Sequence, residues 1–337
     1  MTNTAIASTT FIPSGDPAGK TNRAMRFRSF QDPDAKEMFA LYDSVYTADR
    51  VSWPFFVRHF LLSPNFDPAG TFIAEENGRI EGWASGQIIR KDFDVWGDQA
   101  RKNAGTGFLM PPVIKDIETG KRLIASVEGY FRQGKCVRSR GSAAGYTLFP
   151  NGVDPEAYPV VHRAFEGSGY TCFSSSYSMR RDLENYSVPE VVRAKIEHLA
   201  AEGIRADICH YDDLPGLRHL LAETGLNGWM HLPLRKADQG RLDEAVVVRR
   251  GSDILGYCQY NYFGEAERIG PFGISGDMRG RGLGTVMVAK LLEIMTERGF
   301  RQAWFASCME EKIPFYAKNG LQVFRKKSIF VKELVCP

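Results

Sequence analysis

The sequence contains no long apolar run and no dense cluster of like charges. None of its apolar stretches approaches the roughly 18 residues that a membrane-spanning helix needs, so we expect no contact with a membrane. No run of five or more lysines and arginines occurs, and a formal net charge of +3 does not indicate a nucleic-acid partner. Residues 1–22 lack the basic start and apolar core of a signal peptide, and their composition predicts a disordered tail.

Cysteine pairs at metal-binding or redox spacing are also missing. No CxxC motif occurs, and no histidine stands at zinc-ligand spacing from a cysteine. We therefore expect reduced thiols, no bound metal and a cytoplasmic location. The six cysteines are Cys136, Cys172, Cys209, Cys258, Cys308 and Cys336.

Length and composition fit a globular protein of two domains. The chain has 337 residues, and single domains typically contain roughly 100–200. The residues are 43% hydrophobic, 25% charged and 12% aromatic, which is ordinary for soluble proteins.

The second half of the chain alternates strand-like and helix-like segments. Its order of elements, β-α-β-β-β-α-β-α-β-β, predicts an α/β fold with a mixed sheet. Strands are predicted at 204–211, 244–264 (two strands), 267–276, 302–308 and 321–334 (two strands), and helices at 212–225, 283–299 and 310–320.

The first half repeats this pattern. Residues 71–88 match 245–262 as two strands around a turn, and residues 162–183 match 313–334 at a constant offset of 151. That offset pairs Phe165 with Tyr316. An internal duplication therefore explains the length. We predict a tail at 1–22, a first copy at 23–183, a linker helix within 184–203 and a second copy at 204–337.

A glycine-rich turn precedes the long helix of the second copy. Arg279 and Arg281 alternate with glycines at 280, 282 and 284. The free amides and the dipole of a helix N-terminus attract anions, and glycines let a pyrophosphate approach the main chain. The alternative is a plain glycine-rich turn with solvated arginines. The spacing does not fit a dinucleotide-binding fold, because G-x-G-x-G is not followed by βαβ units.

The segment from Arg279 to Gly284 resembles the R/Q-x-x-G-x-G/A signature of the GCN5-related N-acetyltransferases (GNAT). In addition, "IPFYAKNGL" at 313–321 is similar to the closing FYxKxGF motif of that superfamily. The resemblance covers 204–334 with all elements in order, and 26–183 more faintly. It implies two tandem GNAT-like domains.

The resemblance also implies a cofactor and its contacts. Family members bind acyl-CoA, here expected to be acetyl-CoA as the acyl donor, with the pyrophosphate on the turn amides and the pantetheine arm along the preceding strand. Tyr316 is implied as the catalytic residue that protonates the leaving CoA thiolate. The implied cofactor-binding residues are Phe272, Gly273, Ile274, Arg279, Gly280, Arg281, Gly282, Leu283, Gly284 and Thr285.

Two features depart from the family pattern. Many members carry an asparagine where 307–309 reads Ser-Cys-Met. The position of the general base falls near Arg268, and strand alternation predicts that the neighbouring Glu267 faces away from the site. Glu265 lies two residues before Glu267, and the sequence identifies no base.

The first copy has lost the chemical groups of the second. Its counterpart of the turn, at 115–126, contains Gly120 as its only glycine and the acidic Asp116 and Glu118. These carboxylates would repel a pyrophosphate. Phe165 stands at the tyrosine position and has no hydroxyl. We therefore expect the first copy to be a structural or substrate-shaping partner.

Three further groups have simpler interpretations. An aromatic helix face in the first copy predicts core packing, and "RKK" at 325–327 predicts a solvated turn. Trp229 and His231 are candidates to line an acceptor pocket, with plain packing as the alternative. The aromatic face comprises Trp53, Phe55, Phe56, His59 and Phe60.

Together these features predict an acyl-CoA-dependent N-acyltransferase. It would transfer acetyl to a primary amine of a small molecule or peptide by direct attack in a ternary complex. The alternative is a non-catalytic CoA-binding sensor or scaffold. The identity of the acceptor and the oligomeric state are not indicated by the sequence.

Overall fold

The computed structural model describes residues 24–89, 99–142 and 151–334. The tail predicted for 1–22 lies outside these ranges. The strands are β1 (Arg26–Ser29), β2 (Thr71–Glu76), β3 (Arg79–Ile88), β4 (Thr106–Leu109), β5 (Val113–Ile114), β6 (Arg138–Gly141), β7 (Thr171–Asp182), β8 (Ile204–Ile208), β9 (Ala245–Arg250), β10 (Asp253–Gln259), β11 (Phe272–Ile274), β12 (Gln302–Cys308) and β13 (Gln322–Glu333).

The α-helices of the described residues accompany these strands on both sides. No helix in the described ranges is long and apolar enough to cross a membrane. The helices are α1 (Ala35–Val45), α2 (Trp53–Phe56), α3 (Gln99–Lys102), α4 (Ile117–Gln133), α5 (Pro159–Gly167), α6 (Glu190–Ala201), α7 (Leu214–Glu223), α8 (His231–Asp238), α9 (Leu283–Glu297) and α10 (Ile313–Lys318).

In each half of the chain, helices pack on both faces of the strands. In the first half, the indole of Trp83 donates to the carbonyl of Met38 in α1, whereas the neighbouring Gly82 faces Leu123 of α4. In the second half, Val246 packs in the core that contains α9, and Val247 packs in the core that contains α7. Adjacent strand residues point to opposite faces, so these contacts place a helix layer on either side.

The two halves exchange their long terminal strands. The larger sheet has the order β1-β2-β3-β4-β6-β13-β7-β12, with β5 paired to β3, and the smaller has the order β11-β10-β9-β8. Thus β13 of the second half lies between β6 and β7, and β7 of the first half lies between β13 and β12. Both exchanged strands contain 12 residues. Their starting residues, Thr171 and Gln322, have the predicted offset of 151.

A cluster of charged side chains ties the halves together beside this exchange. Arg325 of β13 donates to Asp49 and to Asp154, each at 2.7 Å. The hydroxyl of Tyr158 donates to the second oxygen of Asp49 at 2.6 Å. These four side chains satisfy one another where the two copies meet, so the junction has paired charges as well as shared strands.

The predicted break into two strands at 321–334 is wrong, as is the solvated turn at 325–327. The segment is the single strand β13. The basic residues resembled a turn because their partners are distant in sequence. Lys327 is buried, donates to the carbonyl of Ala306 at 2.9 Å and also bonds to Ser178. Burial lowers the pKa of Lys327 to about 8.

Other boundaries also differ from the predictions. The segment at 115–126 is not a turn, because α4 already begins at Ile117 and Gly120 lies inside its first turns. A Cβ on Gly120 would lie 2.9 Å from the Cβ of Ala164, so this glycine permits close packing with α5. The helix α8 was not predicted. Its Pro233 resembles a helix breaker but occupies the first turn, where no amide donor is needed.

Candidate active site

The strands β11 and β12 border a wedge in the second half. Just before β11 they lie close together: the amide of Ile269 donates to the carbonyl of Trp304 at 2.8 Å, and the amide of Trp304 donates to the carbonyl of Glu267 at 3.1 Å. Farther on, in the described residues, β11 pairs with β10 and β12 pairs with β7. The two strands therefore diverge and leave main-chain groups facing the gap.

A cavity of 350 Å³ occupies this wedge. One wall is formed by 269–272 and the other by 305–309. Tyr316 of α10 lies across the gap, with its ring centroid 5.5 Å from that of Phe272 and 4.5 Å from that of Phe305. The implied catalytic residue and the first of the implied pantetheine contacts are thus brought together at one cavity.

The glycine turn forms the N-terminus of α9. Gly282 is the N-cap residue with φ of 90°, and as a glycine it has no side chain to cap the first turn of the helix. Gly280 also has a positive φ, of 79°. The amides of 283–285 accordingly lack intrahelical acceptors and carry the positive end of the helix dipole. This arrangement suits an anion.

Gly284 has a different role from the other two glycines. A Cβ at this position would lie 3.1 Å from ring atoms of Phe315. The first turn of α9 therefore packs directly on α10, one residue before Tyr316. Close helix packing, rather than ligand approach, explains the absence of a side chain at Gly284.

The two arginines of the turn differ in their partners. Both are exposed, and Arg281 also forms an ion pair with Glu202, just beyond the end of α6. The charge of Arg281 is consequently compensated within the protein. This pairing was not predicted, because the carboxylate lies 79 residues away in sequence.

Tyr316 is half-buried and remains protonated at neutral pH. Burial, together with the nearby thiols of Cys308 and Cys258, raises the pKa of the Tyr316 hydroxyl well above its ordinary value. Burial and the charge of Glu311 raise the pKa of the Cys308 thiol to about 11. The cavity wall thus presents a phenol that can donate a hydrogen bond and a neutral thiol.

No carboxylate lines the cavity in the part of the chain that the structure describes. Arg268 lines it and pairs with Glu265 at 2.5 Å. Glu267 instead accepts a hydrogen bond from Gln302 at 2.7 Å, and it does not line the cavity, in agreement with the predicted strand alternation. The position at which the family resemblance implies a base is therefore cationic here.

Of the two residues predicted to line an acceptor pocket, only one lines the cavity. Trp229 lines the cavity, whereas His231 does not and places its Nδ1 2.8 Å from the carbonyl of Gly228. Tyr262 and Lys312 also line the cavity and were missed by the sequence analysis. Lys312 directly precedes α10, and this position next to the closing motif was an available signal.

The corresponding wedge of the first half is filled by protein. β5 pairs with β3 in the register in which β11 pairs with β10, so Pro112 occupies the position of Phe272. The buried Tyr46 donates its hydroxyl to the carbonyl of Pro112 at 3.1 Å, and its ring centroid lies 4.5 Å from that of Tyr158. The side chain of Tyr46 therefore already forms a hydrogen bond with the main-chain carbonyl that faces this wedge.

The helix N-terminus of the first half is also occupied. Asp116 caps α4, and its carboxylate accepts a hydrogen bond from the amide of Thr119 at 2.8 Å. Phe165, at the position of Tyr316, is fully buried against Phe330. The two copies thus differ at the wedge, at the helix N-terminus and at the position of Tyr316.

Comparisons with known proteins give a family match for part of the second half and a shared fold for nearly the whole chain. Residues 214–321 match the family described as Acetyltransferase (GNAT) family. None of the curated proteins matches the sequence.

Three solved structures share the fold over nearly the whole chain. A GCN5-related glucosamine N-acetyltransferase region of a fungal multi-domain GH3 β-N-acetylglucosaminidase has 16% identity and a TM-score of 0.71, and the match covers 96% of this chain but only 40% of that one. A GCN5-related N-acetyltransferase from Sphaerobacter thermophilus has 14% identity and a TM-score of 0.64, covering 92% and 96% of the two chains. A tandem GNAT protein from the clavulanic acid biosynthesis pathway has 14% identity and a TM-score of 0.58, covering 92% and 99%.

Proposed function

Because residues 214–321 match the Acetyltransferase (GNAT) family, we propose that the chain is an acyl-CoA-dependent N-acyltransferase. The observation that carries the proposal is the open wedge between β11 and β12, with Tyr316 across it and the glycine turn at its side. The donor is acetyl-CoA, and the acceptor is a primary amine of a small molecule or peptide.

Each part of the site has a place in binding the donor. The amides from Arg281 to Thr285 hold the pyrophosphate at the N-terminus of α9. The pantetheine arm runs along β11, where Phe272 and Ile274 have main-chain groups toward the gap, while Gly273 between them pairs with Tyr257 of β10. The positive φ at Gly282 and the absence of a side-chain cap fit this role, since both leave the amides accessible.

The reaction is a direct transfer in a ternary complex. The amine nitrogen attacks the thioester carbonyl, a C–N bond forms, and the C–S bond breaks as CoA leaves. Tyr316 supplies a proton or a strong hydrogen bond to the departing sulfur. Since no carboxylate lines the described cavity, the amine arrives as the free base or loses its proton to water.

The first half binds no second molecule of the acyl donor. The hydroxyl of Tyr46 already donates to the main-chain carbonyl with which a pantetheine arm would pair. The carboxylate of Asp116 already accepts a hydrogen bond from the first turn of α4, where a pyrophosphate would bind. A carboxylate at that position also repels phosphate. We therefore predict one acetyl-CoA per chain, in the second half.

Two measurements on the full chain test the proposal. Calorimetry is expected to give one acetyl-CoA site per chain, and two equivalent sites would contradict the assignment of the first half. A thiol-release assay with acetyl-CoA and a panel of primary amines is expected to show release that depends on the amine. Tight binding without release for any amine would favour the sensor or scaffold function instead.

A further inference from the structure

The helix α6, which connects the two copies, flanks the glycine turn. Val192 and Leu199 of α6 are buried in the same core as Leu283, the first residue of α9. Glu202, just after α6, pairs with Arg281 of the turn. The neighbourhood of the turn is therefore built partly by a segment outside the region that carries the acetyltransferase motifs.

Lys195 of α6 lies directly over Gly282. A Cβ built on Gly282 would be 2.7 Å from the Nζ of Lys195 and 3.0 Å from its Cε. The ammonium group thus lies against the main chain at the start of α9. Its side chain is otherwise exposed to solvent.

The ammonium group of Lys195 forms no ion pair with a carboxylate of the described residues. In the described ranges, the ion pairs of α6 and its end join Arg193 to Glu190, His198 to Glu202 and Arg281 to Glu202. None of them includes Lys195. A cation beside a helix N-terminus is opposed by the helix dipole, so this position becomes favourable when an anion binds between the two.

We propose that Lys195 is a ligand of the CoA pyrophosphate, so that the connecting helix completes the donor site. The inference rests on the proposed function. It also reassigns the charge of the site: Arg281 is tied to Glu202, and Lys195 supplies the mobile cation at the phosphates. A lysine meets phosphate as a point charge on a flexible stem, whereas the guanidinium of Arg281 already has a carboxylate partner.

Calorimetry with CoA and with dephospho-CoA tests the assignment on the full chain. Lys195→Gln is expected to weaken binding of both ligands about tenfold, because one charge-assisted hydrogen bond to phosphate is lost. Lys195→Arg is expected to keep most of the affinity. The matched control is Arg193→Gln, which removes one charge from the same helix and is expected to change affinity less than twofold.

The other outcomes overturn the inference in distinguishable ways. Unchanged or tighter binding by Lys195→Gln would mean that Lys195 is a bystander or blocks the turn. Loss confined to CoA, with dephospho-CoA unaffected, would move the contact to the 3′-phosphate. If the unaltered protein binds neither ligand, the proposed function fails together with this inference.

Discussion

At the scale of single residues, Tyr316 is the side chain on which the proposed chemistry most depends. Tyr316→Phe keeps the ring that packs between Phe272 and Phe305 and removes only the donor. General-acid assistance is worth roughly 10²–10⁴ in rate. We expect turnover to fall at least about tenfold while the affinity for acetyl-CoA changes little, as measured by thiol release and calorimetry.

The control for this substitution lies on the same half of the molecule. The hydroxyl of Tyr186 donates to the carbonyl of Ala289 at 3.5 Å, away from the cavity. Tyr186→Phe is expected to leave turnover within about twofold of the parent. If Tyr316→Phe behaves in the same way and remains folded, Tyr316 has no part in the mechanism.

Residues that form a local motif were predictable from the sequence, and those that meet through the fold were not. The turn at 279–285 and Tyr316 could be identified because spacing and residue type carry their roles. Lys195 and Tyr46 could not, because each reaches its position only through tertiary packing. Asp116 was identified as acidic, but its function as a helix cap needed the boundary of α4.

At the scale of elements, the start of α9 depends on the backbone of Gly282. Any other residue at φ of 90° is strained by roughly 1–2 kcal/mol, and its Cβ would meet Lys195. We expect Gly282→Ala to weaken acetyl-CoA binding at least about tenfold in calorimetry. The melting temperature should fall by only a few degrees.

Gly276 provides the matched comparison for that variant. It belongs to the same loop, its φ is not positive, and a Cβ there would have no neighbour within 4 Å. Gly276→Ala is expected to bind acetyl-CoA like the parent. Equal affinities for all three proteins would show that the phosphate does not approach the turn at Gly282.

Most elements of the second half were predictable because their apolar spacing is regular. The duplication was predictable too, and the fold of two GNAT-like domains is confirmed by solved structures that share it, one of them a tandem GNAT protein. Gly169 and Gly320, paired by the offset, have φ values of 79° and 80°. The single strand β13 was missed because its basic residues are neutralised or hydrogen-bonded by partners from other strands and the other half.

At the scale of the whole molecule, the exchanged strands make each half incomplete without the other. A fragment of residues 200–337 lacks β7, which pairs with both β12 and β13. It also lacks Asp49 and Asp154, the partners of Arg325. We expect this fragment to be insoluble or inactive when expressed alone, as judged by fractionation and thiol release.

Expression of residues 24–199 together with this fragment provides the complementary measurement. Recovery of soluble, active protein only when both pieces are present would fit two interdependent halves. A soluble fragment of 200–337 with full turnover would show that the first half is dispensable.

The position of β13 also has a consequence for synthesis on the ribosome. The partner strand of β6 is β13, which is translated almost two hundred residues after β6 and after every other strand described. Until then the nascent first half presents an open sheet edge, which is an opportunity for wrong pairing. A premature stop before β13 would therefore damage the part of the protein that was made first.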